Sequence, residues 1–268
     1  MMFGALLSKY DIRDYKLKVA SNNNDTQYLP ETFILEYQPE VKDQSNVSSC
    51  VAHVCASIEE YFEKYQCNTT VELSPGFIYG TRYDYTGEGM YLRDALKTLC
   101  EKGICTKERF PYNKEVPEIF DLLKTEDITD DDTSHYKITR YFRCDSIDDI
   151  KKALYNYGPV MFSVPWYKDN KVENDTLVKG QIQNGNHAIY IYGWNQKGFL
   201  FQNSWGRNWA QEGRCILPYD YPINEAWGIT DDYVYPHDVY IYEPKRNAFL
   251  DLLYRIINLI VNIFKKHD

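Results

Sequence analysis

The sequence predicts an α+β fold with helices in its first half and strands in its second half. Apolar residues recur at helical spacing along CVAHVCASIEEYFEKY, which begins at Cys50. The later runs HAIYIYGW and GFLFQNSW are rich in the aromatic and β-branched residues that are typical of strands. A hydrophilic stretch over residues 124–135 separates the two halves and predicts an exposed connection between two lobes.

The helix predicted from Cys50 onward is amphipathic. Its apolar positions are Val51, Val54, Cys55, Ile58, Tyr61 and Phe62, and its polar positions, Glu59, Glu60, Glu63 and Lys64, are expected to face away from the core. Ser48 and Ser49 are good N-cap residue types, so Cys50 is expected in the first turn. Free N–H groups and the helix dipole at that position favour a thiolate.

Further elements are predicted on either side of the connection. One helix has Leu92, Ala95, Leu96 and Leu99 on one face and ends at Gly103. A short strand is expected over Tyr136–Arg143, followed by a helix that starts near Ser146 and stops at Gly158-Pro159. VMFSV then reads as a buried strand.

The last two strand-like runs predict a hairpin that turns at Asn195, Gln196 and Lys197. A turn centred near Asn195 or Gln196 brings His187 and Asn203 opposite each other. An asparagine amide that fixes one imidazole nitrogen leaves the other nitrogen to accept a thiol proton. The hairpin therefore predicts a base with its orienting partner, whereas local spacing does not predict how Cys50 reaches them.

Composition narrows the classes of function. The chain has 268 residues and a net charge of -9, and this acidity disfavours nucleic acid as a partner. Its seven cysteines are an odd number without a regular spacing, which disfavours a secreted protein held by disulfides. The first seven residues carry no signal-peptide pattern, so we expect a reducing, cytoplasmic location.

A nucleophilic site is predicted from four residues. A thiolate at Cys50, paired with His187 and Asn203, has the groups needed for acyl transfer. Gln44 lies six residues before Cys50 in a loop and is expected to donate to the developing oxyanion together with the Cys50 N–H. No metal or organic cofactor is implied, and the cysteines show no metal-ligand spacing.

These motifs resemble the papain family of cysteine peptidases. QSNVSSCVAH is similar to the family's glutamine-to-cysteine segment, and GNHA and NSWG are similar to its histidine and asparagine motifs. LSPGFIYG, GEGMYLRDAL, KGICTKERFPY and GPV also match family landmarks. The resemblance covers roughly residues 29–242, and the absence of a tryptophan after Cys50 is closer to the compact microbial and viral branch.

The resemblance implies a papain-like two-lobe fold, with a helical lobe, an antiparallel β-barrel-like lobe and the active-site cleft between them. It implies Cys50, His187, Asn203 and Gln44 as catalytic residues, with Trp205 shielding the bond between His187 and Asn203. The substrate-binding residues that it implies are Gly89, Met90, Ser163, Asn186, Ala188 and Trp205. Met90, Ala188 and Ser163 would line a pocket for a small or moderately apolar side chain. Peptide or protein is the expected substrate.

The sequence also departs from the family pattern. Val47 stands where many secreted members have a bridged cysteine, and Ser45 and Ser48 replace usual glycines. The Ser48 change is expected to tighten the backbone near the nucleophile. Residues 1–28 are much shorter than the family's inhibitory prosegment, and we expect them to wrap the body or the cleft.

The domain organisation follows from these assignments. We expect a catalytic domain over residues 29–245, with the helical lobe at about 41–125 and the β-rich lobe at about 126–245. Residues 246–268 predict an amphipathic helix whose polar stripe recurs every three or four positions. It is expected to pack on the body or on a second copy, with contact at a membrane surface as the alternative. A spanning helix is not expected.

Three alternatives remain open from the sequence. His53, on the same helix as Cys50, is a weaker candidate base because no orienting partner is apparent for it. The same catalytic groups serve an acyltransferase that uses a nucleophile other than water. A third reading is a peptide-binding module without catalysis, in which the N-terminal stretch closes the cleft.

Overall fold

The computed structural model describes residues 3–19, 28–82, 88–112, 128–231 and 239–242. The predicted tail helix and the first part of the predicted connection lie outside the described residues. No helix within the described ranges is long and apolar enough to cross a membrane.

The five described helices differ in whether a side chain caps their first turn. They are α1 (Cys50–Cys67), α2 (Pro75–Gly80), α3 (Leu92–Glu101), α4 (Asp130–Thr133) and α5 (Ile147–Asn156). Ser74 caps α2 by accepting a hydrogen bond from Phe77, and Pro75 occupies the first turn. Ser146 caps α5 in the same way. Helix α3 buries Leu92, Ala95, Leu96 and Leu99, as its periodicity predicts.

Helix α1 is buried on more sides than its pattern indicates. Glu59 and Glu60 were expected to face away from the core, but they are only 1% and 3% exposed. Glu60 forms an ion pair with Lys42 at 2.6 Å and accepts from the Leu73 N–H. Burial raises the pKa of Glu59 well above its usual range. The prediction of an exposed acidic face is wrong because both lobes pack around this helix.

Most strands form one large sheet, and a two-stranded sheet lies apart from it. The strands are β1 (Ala5–Leu6), β2 (Lys16–Val19), β3 (Phe33–Ile34), β4 (Met90–Tyr91), β5 (Arg140–Arg143), β6 (Val160–Tyr167), β7 (Lys171–Glu173), β8 (Thr176–Val178), β9 (Gln183–Trp194), β10 (Gly198–Gln202), β11 (Arg214–Pro218), β12 (Glu225–Thr230) and β13 (Val239–Tyr242). Strand β5 is shorter than predicted, since it starts at Arg140 and not at Tyr136.

The large sheet follows the order β13-β2-β5-β12-β6-β9-β10-β11-β8-β7, with β3 paired to β9. Most of its pairs are antiparallel, and β2 with β5 and β8 with β11 are parallel. One core gathers the buried faces of α1, α2 and α3, and a second gathers α5 with the strands around β6 and β9. This arrangement confirms the predicted α+β fold.

The two cores meet along strand β9, which is the longest strand described and packs against α1. Ala188 and Tyr190 on β9 belong to the α1 core, whereas Ile189 and Ile191 belong to the core of the β-rich lobe. Successive side chains of a strand point to opposite faces, so this alternation follows from strand geometry. Strand β9 therefore carries His187 to the boundary between the lobes.

Candidate active site

Cys50 is the first residue of α1 and is fully buried. Ser49 occupies the N-cap position, but its side chain makes no capping bond. Its hydroxyl lies 2.8 Å from Tyr112 Oη and 3.3 Å from His53 Nδ1. The prediction that Cys50 lies at the helix start is confirmed, while the expected serine side-chain cap is absent because the Ser49 hydroxyl has other partners.

His187 and Asn203 are held together at the mouth of the β9–β10 hairpin. His187 Nε2 donates to Asn203 Oδ1 over 2.7 Å. The predicted register is nevertheless wrong by two positions, since Gln202 pairs with Tyr190. The turn is centred between Gln196 and Lys197, where the Asn195 N–H donates to the Gly198 carbonyl, and a bulge between Leu200 and Phe201 moves the register back by only one position. The two side chains still meet because Asn203 lies just beyond the end of β10.

Aromatic rings surround the imidazole of His187. Trp205 stacks on it with ring centroids 4.7 Å apart, and Trp166 packs edge-on at 5.2 Å. His187 is fully buried, and its Nδ1 has no hydrogen-bond partner among the described residues. The Asn203 bond thus fixes one nitrogen, while the other has the capacity to exchange a proton.

The sulfur of Cys50 reaches strand β9 across the boundary between the lobes. The N–H of Ala188, the residue after His187, lies 3.4 Å from Cys50 Sγ. Residues 138 positions apart in the chain therefore meet at the candidate site. Local spacing did not predict this contact, which depends on packing of α1 against β9.

Gln44 is tied to the same site through both ends of its side chain. Its Nε2 donates to the Val47 carbonyl over 2.8 Å, and its Oε1 accepts from Ser204 Oγ over 2.6 Å. The Gln44 backbone N–H donates to the Ser204 carbonyl. Tyr112 Oη donates to the Gln44 carbonyl over 2.9 Å. These bonds fix the amide with its nitrogen towards the loop that leads into Cys50.

The structure places the remaining predicted binding residues at different distances from the sulfur. Ala188 contacts it directly, and Ser163 is the cross-strand partner of Ala188. Gly89 precedes β4 and Met90 is its first residue, and the N-terminal segment pairs with this strand. Asn186 accepts from Asn224 over 3.0 Å and bonds no residue of the N-terminal segment in the described part of the chain.

Residues 3–9, the cleft segment, lie across the candidate site. Ala5 pairs with Met90 in a parallel ladder, and the Gly4 carbonyl accepts from the Met90 N–H over 2.8 Å. The backbone N–H of Gly4 is close enough to the sulfur of Cys50 to oppose the effect of burial on the pKa of that thiol. Phe3 packs edge-on against His187 at 6.0 Å. The cleft segment is thus the reason that the nucleophile and the base are both buried.

Glycine at position 4 is required by this close approach. An ideal Cβ at Gly4 would lie 1.9 Å from the Ser48 carbonyl oxygen, which is a backbone atom. The opposing Gly89 has a φ of +82°, and a Cβ there would lie 2.6 Å from the Gly4 carbonyl oxygen. Two glycines therefore allow the cleft segment to pass between β4 and the residues that precede the nucleophile.

Burial keeps both candidate catalytic groups uncharged at neutral pH. It raises the pKa of the Cys50 thiol, although N–H groups of Ala188 and Gly4 oppose the shift. Burial also lowers the pKa of His187 to about 4, against the opposing effect of the Asn203 hydrogen bond. The described arrangement thus holds a neutral thiol beside a neutral imidazole.

We expect acid to open the cleft segment. Phe3, Trp166, Trp205 and Asn203 surround His187, and none of them titrates. Because the pKa of His187 is depressed to about 4 when covered, the closed state is favoured at neutral pH and loses that advantage as pH falls towards 4. An NMR titration of His187 should give a pKa near 4 in the full chain and a higher pKa in a variant whose cleft is open. Equal pKa values in both proteins would contradict this linkage.

His53 has a structural role in the described state. Its Nδ1 bonds to the Ser49 carbonyl at 3.0 Å, and its ring packs on Tyr112. The sequence offered no orienting partner for His53, but these contacts hold its ring in the interior of the protein.

All seven cysteines have free thiols, and Cys67 is exposed. No group of three metal-ligating side chains occurs in the part of the chain described.

Two neighbours of the site were missed by sequence reasoning. Tyr112 links Gln44 to Ser49, and Trp166 forms a wall beside His187. The sequence analysis assigned no role to either side chain. A family landmark, KGICTKERFPY, contains Tyr112 and was the available signal for it; Trp166 lies at the end of a buried strand with no comparable signal.

Comparison with known proteins agrees with the geometry. Residues 35–237 match the family model described as papain family cysteine protease. An uncharacterized peptidase C1-like protein of Acanthamoeba polyphaga mimivirus is 28% identical over 82% of this chain and 77% of its own length. Mexicain from Jacaratia mexicana is 25% identical over 65% of this chain and 79% of its own length.

Solved structures share the architecture. Xylellain, a cysteine protease from Xylella fastidiosa, superposes with a TM-score of 0.72 at 25% identity, covering 86% of this chain and 96% of its own. A procathepsin B from Trypanosoma congolense has a TM-score of 0.64 at 16% identity over 87% of each chain. The second likeness shows the fold alone.

Proposed function

Because the chain belongs to the papain family of cysteine proteases, we propose that it hydrolyses peptide bonds through a thioester on Cys50. The observation that carries this assignment is the contact of Cys50 Sγ with the Ala188 N–H, 3.4 Å away and next to His187. The 2.7 Å bond from His187 to Asn203 supports His187 as the base, since it orients the imidazole. Peptide or protein is the substrate.

In the proposed reaction, His187 Nδ1 takes the proton of Cys50 and the thiolate attacks the carbonyl carbon of the scissile bond. The oxyanion of the tetrahedral intermediate accepts from Gln44 Nε2 and from the Cys50 N–H. His187 then gives the proton to the leaving amine as the C–N bond breaks. Water, deprotonated by His187, attacks the thioester and releases the acid and the free thiol.

The reaction requires that the cleft segment first leave the active site. Cys50 and His187 are both fully buried, so no substrate carbonyl reaches the sulfur while Gly4 lies against it. The segment must therefore leave before the thiolate–imidazolium pair forms. Ala5 of this segment is buried, whereas the side chains of Leu6 and Leu7, which follow it, are exposed.

Replacement of Cys50 tests the proposal directly. We expect Cys50→Ala to abolish both peptide cleavage and covalent labelling by a vinyl-sulfone probe, because no other described thiol lies beside a histidine held by an asparagine. Cys67→Ala is the matched control, since Cys67 is an exposed thiol at the far end of α1. Cleavage of a fluorogenic peptide library that survives in Cys50→Ala would refute the assignment.

We further propose that the protein works in a reducing compartment, since all seven cysteines carry free thiols. We also propose that the predicted tail helix contacts a second copy of the chain or a membrane surface. Sedimentation of the full chain tests the first contact, and liposome binding tests the second.

A further inference from the structure

Phe3 of the cleft segment occupies an aromatic pocket beside the base. Its ring stacks on Trp166 with centroids 6.5 Å apart and meets Trp205 edge-on at 6.2 Å. The His187 ring closes the pocket at 6.0 Å. Trp166 is only 5% exposed, so its indole forms a fixed wall.

Gly185 makes room for a large side chain in this pocket. It lies directly opposite Trp166 in the β6–β9 ladder, where any other residue would present a side chain. An ideal Cβ at Gly185 would lie 2.8 Å from Phe3 Cβ and 3.3 Å from the first ring carbon. Gly185 has no positive φ, so alanine is compatible with the backbone there. Its methyl group would crowd only the side chain that fills the pocket, which here is Phe3.

The pocket lies on the leaving-group side of the nucleophile. Along the cleft segment, Ala5 pairs with Met90 on one side of Cys50, and Phe3 contacts His187 on the other side. In the proposed reaction His187 protonates the leaving amine, which must therefore lie beside the imidazole. The residue that carries this amine is the one whose side chain reaches Trp166 and Trp205.

We propose that Trp166, with Trp205 and Gly185, selects substrates that have an aromatic residue directly after the scissile bond. This inference rests on the proposed peptidase function and names the substrate class of that site. Phe3 is the chain's own occupant of the pocket. An aromatic ring prefers the stacked and edge-on arrangements that this pocket offers, beyond the area that it buries.

Competition between amine acceptors tests the pocket. The full-length chain carrying Phe3→Ala and Gly4→Val has an empty pocket and an open cleft, and a peptide ester forms its acyl-enzyme. The amides of phenylalanine and alanine are then offered as acceptors in place of water. We expect the phenylalanine amide to be used on the order of tenfold more efficiently, as judged by the ratio of aminolysis to hydrolysis products.

Two substitutions locate the preference. Trp166→Leu should bring the ratio for the two acceptors close to one, and Gly185→Ala should reduce it without removing an aromatic ring. Trp209→Leu is the matched control, because Trp209 packs on Trp166 and Trp205 and has no ring contact with Phe3 among the described residues. Equal use of both amides by the parent, or a preference that survives Trp166→Leu, would overturn the proposal.

A binding measurement separates this inference from the peptidase assignment. If no acyl-enzyme forms, the proposed function fails, and the pocket is judged in the full-length Cys50→Ala, Phe3→Ala, Gly4→Val chain. Ligand-detected NMR should then show tighter binding of the phenylalanine amide than of the alanine amide, with the difference lost in Trp166→Leu. Equal affinities would reject the pocket whatever the fate of the peptidase proposal.

Discussion

Gly4→Val should expose the nucleophile and accelerate its modification on the order of 10²-fold. A Cβ at this position would lie 1.9 Å from the Ser48 carbonyl oxygen, and a backbone atom next to α1 has no room to move away. The cleft segment is therefore expelled and the open state, a minor population in the parent protein, becomes dominant. The rate is measured by peptide-resolved mass spectrometry after brief treatment with a thiol alkylating agent.

The design includes an internal and an external control. Cys67 is exposed in the same chain, so the extent of its labelling should be equal in all variants. It therefore serves as the internal control for the activity of the alkylating agent. Leu7→Ala changes the cleft segment at a side chain that is 47% exposed, and Cys50 should then react as slowly as in the parent. Slow labelling of Cys50 in Gly4→Val would show that the segment does not guard the site.

Gln44→Ala, made in the open Gly4→Val chain, should lower kcat by on the order of 10²–10³. The Ser204 hydroxyl and the Val47 carbonyl fix the Gln44 amide, so its donor is oriented before the substrate arrives. Alanine removes that donor. Gln44→Glu should be at least as damaging, because a carboxylate brings an acceptor and a negative charge to the place where an oxyanion develops. Both are measured with a fluorogenic peptide under saturating conditions.

A second reaction distinguishes this effect from loss of the thiolate. Alkylation of Cys50 by iodoacetamide develops no oxyanion, so its rate should stay within about twofold in Gln44→Ala while kcat falls. Gln38→Ala is the matched control, because Gln38 is a loop glutamine whose amide also bonds a backbone carbonyl, that of Leu35. A parallel fall of alkylation and turnover would mean that Gln44 supports the nucleophile and not the oxyanion.

The sequence predicted those features that depend on short stretches of chain. The start of α1 at Cys50, the buried face of α3 and the hairpin that joins His187 to Asn203 all follow from local periodicity and turn residues. The hairpin register was wrong because Asn195 and Gly198 close the turn, which is therefore centred between Gln196 and Lys197 and not at Asn195. The side-chain contact survives this error because Asn203 lies outside the ladder.

Features that depend on packing between distant parts of the chain were not predictable. Glu59 and Glu60 occupy the polar positions of α1, yet both are buried and Glu60 is bonded by Lys42 and Leu73, so the helical pattern predicted the wrong exposure. The meeting of Cys50 with strand β9 was inferred only through resemblance to a family. Trp166 lies two residues beyond the predicted strand VMFSV, and its place beside His187 depends on the pairing of β6 with β9.

We expect the last residue of the cleft segment, Lys9, and the stretch that follows it to stay anchored when the site opens. Arg93 bonds the Lys9 carbonyl over 2.6 Å and forms an ion pair with the buried Asp14 over 2.5 Å, and the Tyr15 carbonyl accepts from the Arg143 N–H over 2.8 Å. The blocking residues are thus tethered a few positions from where they bind. Their effective concentration at the sulfur is of millimolar order for so short a tether, and it does not change on dilution. A peptide added to the full chain must therefore compete with the chain's own cleft segment. Its apparent affinity is lower than its intrinsic affinity for the open site.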